Sequence, residues 1–584
     1  MNYNLRPEYP RPILRREEWL SLNGEWDFTA GDVALGETPI FDQKIIVPFA
    51  INSDLSGLVS DAPPDVVWYQ KVLEIPEAWR GLRILLHIGA CDFQSRIYIN
   101  GHEVGQNRGG YAPISVDMSP ALQNDGSKNM LMIRVQDGAS WSQPRGKQEG
   151  TTRWPIDYDP IIGIWQSVWL EPVAQVSIQD LACHYVCEGN LVSYTVGLSG
   201  VLDGTLGITV NDGERILGGV EVETNHRSEI KCQFYVEDPV LWSPDNPCLY
   251  DVALKLNNSD GDLIDKADSY VGLREIESRD GQLLLNGSPL YIRGILDQGY
   301  FPEGWYTAAS DDALRKDVAL TKALGFNCAR KHQKAEDPRY LYWADKLGLL
   351  VWSEMPSGRI FSTDLVTDLT SEWMRLIKRD RAHPCVMAWV PFNESWGVWH
   401  QTERPQQRAF VDGIVGLTKA LDSSRLVVGN DGWEYSSGDL WTLHLYEGMG
   451  ESIAERLAVV LDNPDAELFP NGRVGALAGA DVTGLPVLLT ECGGVGFVPE
   501  GYDGAREAFA YGEMPESKAA LENDIRKIAE DVHGAGALTG FVWTQLTDIQ
   551  QEINGLLTFE REPKLDPGVM REIFGNIGPQ NIRE

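Results

Sequence analysis

Long apolar runs are missing from this chain. No uninterrupted stretch reaches the ~18 residues that a helix needs to cross a bilayer, so a protein spanning the membrane in that way is excluded. Cysteine is scarce, with eight in 584 residues at 91, 183, 187, 232, 248, 328, 385 and 492 and no CxxC pair. That excludes a disulfide scaffold and a zinc ribbon. Most of these cysteines are expected to be small buried apolar residues. Positive charge is in deficit: 50 basic residues face 85 acidic ones, a net charge of −35. Such a field repels phosphate backbones and argues against nucleic-acid binding, and its main meaning is a well-solvated surface. The short catalytic signatures are missing as well. There is no HExxH and no carboxylate cluster at ligand spacing, no GxGxxG running from a strand into a helix, no GxxxxGK[ST] and no GxSxG. Neither a metal nor a cofactor is expected, and the simplest serine-hydrolase reading fails. The opening MNYNLRPEYPRPILRREEW lacks the apolar stretch and cleavage site of a secretory signal. A cytoplasmic location is expected, unless a leader has been trimmed away.

What is present describes a folded, multidomain chain. Apolar residues make up 43% and charged residues 23%, and 584 residues divide into roughly three or four domains. Nineteen Trp and twenty Tyr raise the prospect of carbohydrate, whose C–H faces suit flat rings, only weakly. The first ~275 residues read as short strands such as Ile84–Ile88, Ser95–Ile99, Met130–Val135 and Val168–Leu170, with turns at Asn100–Gly101, Asn124-Asp125-Gly126 and Asp137–Gly138. Residues 1–172 are expected to form a jelly-roll β-sandwich and 173–275, with segments at 176–180, 191–197, 206–210, 229–235 and 249–255, an immunoglobulin-like one. From 276 to 584 strand-like runs alternate with helical ones, as in a (β/α)8 TIM barrel. The eight strands are Leu290–Leu296, Phe326–His332, Leu349–Met355, Val386–Phe392, Leu426–Gly429, Leu440–Tyr446, Val487–Thr490 and Gly540–Thr544. Helices are expected at Asp311–Leu324, capped by Ser310, and at Asp368–Arg381 and Gln406–Leu421. The connection from strand 5 to strand 6 is too short for a helix, and 449–480 reads as an insertion.

In such a barrel the working residues follow the strands. Strand 4 stops at Asn393-Glu394 and strand 7 at Glu491, followed by Cys492-Gly493-Gly494. Paired carboxylates across one cleft are what glycosidic cleavage needs, one protonated to donate to the leaving oxygen and one ionised to meet charge at the anomeric carbon. A gap near ~5.5 Å permits direct attack and retention, whereas ~6.5–9.5 Å admits a water and inverts. At the other strand ends, Arg330 could keep the strand-7 Glu ionised. His332 and His444 could donate to sugar hydroxyls, Tyr446 joins the same rim, and Trp543 could floor a sugar site. Singly, each reads equally well as a satisfied rim residue. Cys492 reads as a packing residue.

These residues resemble family 2 of the glycoside hydrolases, the group of β-galactosidases, β-glucuronidases and β-mannosidases. The likeness rests on LNGEWDF at 22–28, GIWQSVWLE at 163–171, GFNCARKH at 325–332, DKLGLLVWSEMP at 345–356, NES at 393–395 and TECGG at 490–494. It implies the same three domains in the same order and a retaining, exo-acting enzyme, with Glu394 as general acid/base, Glu491 as nucleophile and Asn393 on the substrate 2-hydroxyl. The strand-1 exit, LDQGYFPEGWY at 296–306, differs from that of the large galactosidases, so Asp297, Gln298 and Trp305 are expected to shape the glycone pocket in a subgroup-specific way; Trp396 is expected to touch substrate, and by the resemblance Asp157 would reach the barrel mouth from a jelly-roll loop. A homo-oligomer is compatible with it.

Family glucuronidases hold the sugar carboxylate with an Asn-x-Lys pair after strand 8; here Asn554 is followed by Gly555-Leu556. That departure, with the acidic field, argues against a uronic acid. The expected substrate is a terminal galactose-type sugar or pentose, pyranoside or furanoside, arabinofuranose and galactofuranose included. Three alternatives remain open: a relative acting on a uronic acid, a non-catalytic carbohydrate-binding protein on the same fold, and a structural partner in a polysaccharide-utilising assembly. The presence of both Glu residues counts against loss of turnover.

Overall fold

A computed structural model describes residues 5–34, 37–60, 64–123, 127–149, 154–446, 452–469, 472–502 and 506–578. The predicted turn residues Asn124 to Gly126 and the start of the insertion at 449 lie outside them. The first sandwich packs a four-stranded sheet on a six-stranded one, all pairs antiparallel. Strand Asn129–Gln136 shows why: Leu131, Ile133 and Val135 alternate inward and join Trp26, Phe28, Tyr69 and Leu86 in one core. At the expected Asn100–Gly101 turn both residues have positive φ (51° and 82°) and Ile99 pairs with His102, a two-residue hairpin whose twist suits its strands.

The second sandwich sets Ile178–Val186, Leu191–Leu198 and Glu229–Tyr235 against a sheet of Arg215–Glu223, Gly204–Asp212, Tyr250–Asn258 and Leu263–Val271. Two of these strands, Arg215–Glu223 and Leu263–Val271, go beyond the sequence reading. Gly218 and Gly219 dilute the first, and Asp265, Lys266 and Asp268 interrupt the second.

All eight barrel strands are present: Ile292–Asp297, Cys328–Lys331, Leu350–Glu354, Val386–Val390, Leu426–Val427, Trp441–His444, Val487–Gly493 and Gly540–Thr544. They pair in parallel in the order 5-4-3-2-1-8-7-6, so the sheet curls until its two ends are neighbours in sequence. Strand 5 is two residues long, and the segment after it stands in for the missing length: His444 N donates to Gly432 O at 3.0 Å. Ser310 caps helix Asp311–Ala323 by accepting from Ala313 N. Helix Thr363–Asp380 starts earlier than the sequence reading because Ser362 caps it. The insertion carries helix Ile453–Asp462 and a small hairpin, Glu467–Phe469 with Arg473–Val474. Among the described residues no helix is long and apolar enough to cross a membrane.

The barrel is docked firmly to the first sandwich. The buried Glu372, on helix Thr363–Asp380, accepts from the backbone N–H groups of Tyr111 and Ala112. At the barrel mouth Arg145 N and Gly146 N both donate to Ser357 O, past the end of strand 3. Gly146 (φ 61°) lies so close to Gln333 that an added Cβ would sit 2.3 Å from its carbonyl oxygen. The segment Arg145-Gly146-Lys147 therefore enters the rim of the barrel.

Candidate active site

Two turns of chain aim the carboxylate that follows strand 4. Glu394 and Ser395 both have left-handed backbone (φ 51° and 58°), held by Glu394 N donating to Asp431 O and Ser395 N to Asn430 Oδ1. Consecutive non-glycine residues in this region are costly and persist only where surrounding bonds impose them. The result is a side chain turned into the barrel mouth, 20% exposed. Glu491 comes from within strand 7, with 6% of its side chain exposed. A carboxylate oxygen of each and a ring nitrogen of His444 all lie within 4.8 Å of one another. That is the spacing of direct attack rather than of an intervening water.

The surroundings drive the two carboxyls apart in acidity. Burial raises Glu394, and the charge of Glu491 adds to it, against the bond from His444. Burial would raise Glu491 too, but the charges of His444 and Arg330 and the bond from Tyr446 outweigh it and bring it down to about 2. One group is thereby set to hold a proton and the other to be ionised.

Each neighbour has a defined part in this. Arg330, fully buried, donates from Nη1 to Glu491 Oε1 (2.8 Å), from Nε to Glu354 Oε2 (2.9 Å) and from Nη2 to Asn393 Oδ1 (2.6 Å), with Asp431 Oδ2 2.9 Å from Nη2. Tyr446 donates to Glu491 Oε2 at 2.6 Å, and burial beside that carboxylate pushes its own phenol up, so it stays a donor. His444 Nδ1 is 2.9 Å from Glu394 Oε1 and 3.6 Å from Glu491 Oε1, and its Nε2 is 3.4 Å from Asp431 Oδ2. Burial disfavours its charge, yet Glu491, Asp431 and Glu394 together push it up to about 10. His444, Glu394 and Glu491 each present a ligand atom within 4.8 Å of the others, close enough to hold a cation. His332 is neutral, lowered by burial and then by Lys147 and Arg330, and its Nδ1 lies 3.2 Å from Glu354 without a hydrogen-bond partner.

Other expected residues sit elsewhere. Asp297 is turned to Lys331 (2.8 Å) and Gly299 N, and Lys331 is shared with Glu336. Trp305 stacks on Tyr300 within the barrel's packing. Trp543, expected as a sugar floor, is 1% exposed; its indole lies across Gly493 and edge-on to Phe574, beneath the strand-7 exit. Strand alternation explains it, because Phe541 and Trp543 share the face that packs on Phe574. Trp396 and Asp157 form one rim assembly. Arg359 stacks on Trp396 (4.0 Å) and on Trp154 (4.6 Å) and donates to Asp157 Oδ1 at 2.5 Å, while Trp154 remains 46% exposed. Asp157 thus reaches the barrel mouth, with Arg359 occupying its carboxylate.

Five residues of the site escaped the sequence reading. Glu354 ends strand 3 just as His444 ends strand 6, a signal that was available. Asp431 follows a strand too short to advertise it. Tyr511 stacks on Tyr446 (3.9 Å, 3°) from a segment with no periodic pattern, and Glu552 and Lys147 arrive on loops.

Three family models match in chain order: "Glycosyl hydrolases family 2, sugar binding domain" over 36–171, "Glycosyl hydrolases family 2" over 193–274, and "Glycosyl hydrolases family 2, TIM barrel domain" over 276–464. The last match includes Glu394 and ends before Glu491. A β-galactosidase of Thermoanaerobacter pseudethanolicus is 29% identical over 346 residues, 56% of this chain and 45% of that protein. A β-glucuronidase of Streptococcus agalactiae is 26% identical over 440 residues, 69% of this chain and 70% of that one. The chain spans about half the length of the first curated relatives it matches, 45% and 51%. Among solved structures, a β-glucuronidase from Ruminococcus gnavus in complex with D-glucuronic acid superposes with a TM-score of 0.78 at 19% identity, covering 98% of this chain and 100% of that one. A β-galacturonidase from Eisenbergiella tayi bound to galacturonate gives 0.78, also at 19%, covering 98% and 99%. At that identity the likeness is one of fold.

Proposed function

The chain belongs to family 2 of the glycosyl hydrolases, and from that premise we propose that it is a retaining, exo-acting glycosidase. The observation that carries the reading is the pair Glu394 and Glu491, with oxygens within 4.8 Å and acidities displaced in opposite directions. Glu491, oriented by Arg330 and Tyr446, attacks the anomeric carbon while Glu394 gives its proton to the leaving oxygen, so the glycosidic bond breaks as a glycosyl ester forms. Once esterified, Glu491 no longer carries the charge that helps raise Glu394, whose acidity then increases. Glu394 is ready to take a proton from water in the second half-reaction, and water releases the sugar.

Support for the glycone is coarser. The relatives' names include galactosidases and glucuronidases, and none of those reported above names an arabinofuranoside or a galactofuranoside. The loop after strand 8 favours an uncharged sugar of galactose type or a pentose. Asn554 there is tied to Gln545 and Glu552, and Lys564 is locked 2.7 Å from Asp548, with 2% of its side chain exposed. The decisive test is Glu491→Ala assayed on a panel of nitrophenyl glycosides. Turnover should fall by several orders of magnitude, and azide or formate should partly restore it by replacing the nucleophile. A variant that keeps turnover, or one that no small anion rescues, overturns the assignment.

A further inference from the structure

Within the glycosidase reading, we propose that Lys147 and Glu552 form a recognition pair for hydroxyl groups of an uncharged glycone, with Lys147 supplied by the first sandwich and Glu552 by the loop after barrel strand 8.

Lys147 is carried into the barrel mouth by the bonds of Arg145 and Gly146 to Ser357 O, and only 4% of its side chain is exposed. Among the described residues its Nζ makes no hydrogen bond; Glu552 Oε2 stands 3.6 Å away. A buried ammonium has three N–H groups to satisfy, and leaving them unmet is expensive. Glu552 accepts from Gln298 Nε2 at Oε2 (3.1 Å) and from Asn554 Nδ2 at Oε1 (3.3 Å), one bond to each oxygen of a group with room for more. Gln298 Oε1 beside them is buried with no partner. An ammonium without a hydrogen-bond partner among the described residues, a carboxylate with one bond to each oxygen and an unpartnered amide oxygen thus stand side by side.

The cluster lies at the barrel mouth: Gln298, just past strand 1, also donates to Gln545 Oε1 (2.7 Å), just past strand 8. After burial, Lys147 is the strongest influence lowering His332, whose Nδ1 lies 4.0 Å from Glu491. After burial, Glu552 is the strongest influence raising Tyr511, which stacks on Tyr446, the donor to Glu491.

The pair's chemistry selects the ligand. A hydroxyl can donate to Glu552 or Gln298 and accept from Lys147, so neighbouring sugar hydroxyls satisfy all three at once. A uronate would meet Glu552 as well as Lys147, gaining no net charge attraction while losing its hydration. The cation is one that a search for Lys after strand 8 misses, and its partner is what argues against a charged sugar.

The test is full-length protein with Lys147→Met or Glu552→Gln, read two ways: kcat/KM on nitrophenyl glycosides of neutral sugars and of the matching uronates, and calorimetric titration with the free monosaccharides. Each substitution should lower kcat/KM on the best neutral glycoside by roughly 10- to 100-fold, the usual cost of unpairing a buried polar recognition group. Glu552→Gln should also shift the uronate-to-neutral ratio toward the uronate by about tenfold or more. Glu552→Gln is isosteric, so it decides the matter if Lys147→Met fails to fold. Wild-type preference for a uronate, or variants with unchanged kcat/KM, overturn the pair while leaving the glycosidase standing. Sugar binding that both substitutions weaken, without any turnover, supports the pair and overturns the glycosidase; absence of both binding and turnover overturns both.

Discussion

Replacing His444 by Gln tests the electrostatic core of the site. The imidazolium stands 3.6 Å from Glu491 Oε1 and 2.9 Å from Glu394 Oε1. A unit charge at that longer distance, in an effective dielectric of ~20, is worth ~4–5 kcal/mol, or about three pH units. Gln keeps a donor and removes the charge, so Glu491 should rise from about 2 toward ~5. Glu394 loses a bond that pulls it down and should rise further. Both limbs of the pH profile of kcat/KM on an activated aryl glycoside should therefore move upward, the acid limb by ~2–3 units. Measurement from about pH 3 to about pH 10 brings that limb into view. An acid limb within ~0.5 unit of the wild type, in a variant of unchanged melting temperature, would refute the reasoning. Stability supplies a second check. His444 is raised in the fold from 6.5 to about 10, so its stabilising contribution is complete below pH 6.5 and disappears as pH climbs through about 10. The wild type should lose melting temperature across that window more steeply than the Gln variant.

Glu394→Ala should slow glycosides with poor leaving groups far more than activated aryl ones, which need little protonation; a leaving-group plot with unchanged slope would remove its role as acid. Gly146→Ala should destabilise by ~2 kcal/mol or more, from left-handed backbone and the 2.3 Å clash with Gln333 O, and urea denaturation against wild type measures it. Cys492→Ser should keep most activity in steady-state assays, since the thiol is buried, pushed up by that burial, and makes a long contact to Val542 O.

Much of the barrel was legible because its strands, buried on both faces, stand out as apolar runs between helical segments. Strand ends share one rim, so Glu394, Glu491, Arg330, His332, His444 and Tyr446 converge without any need to know the loops between them. Trp543 shows the limit of that rule: a strand end has two faces, and this one turns to Phe574. The sandwich strand Arg215–Glu223 was hidden by Gly218 and Gly219, which pack under Tyr235 and Thr209 where a larger residue would collide. Lys147 and Glu552 were hidden for a different reason. Their pairing spans two domains and some four hundred residues, and no local pattern encodes it.

Gly146, wedged against Gln333, ties the seam between sandwich and barrel to the rim that, under the proposed function, carries the chemistry. Turnover therefore has two ways to be lost on heating or in denaturant. If the seam parts before the cylinder melts, inactivation precedes the loss of helical signal. Under the proposed function, the working range is then set by how tightly the parts stay docked rather than by the melting of the largest one.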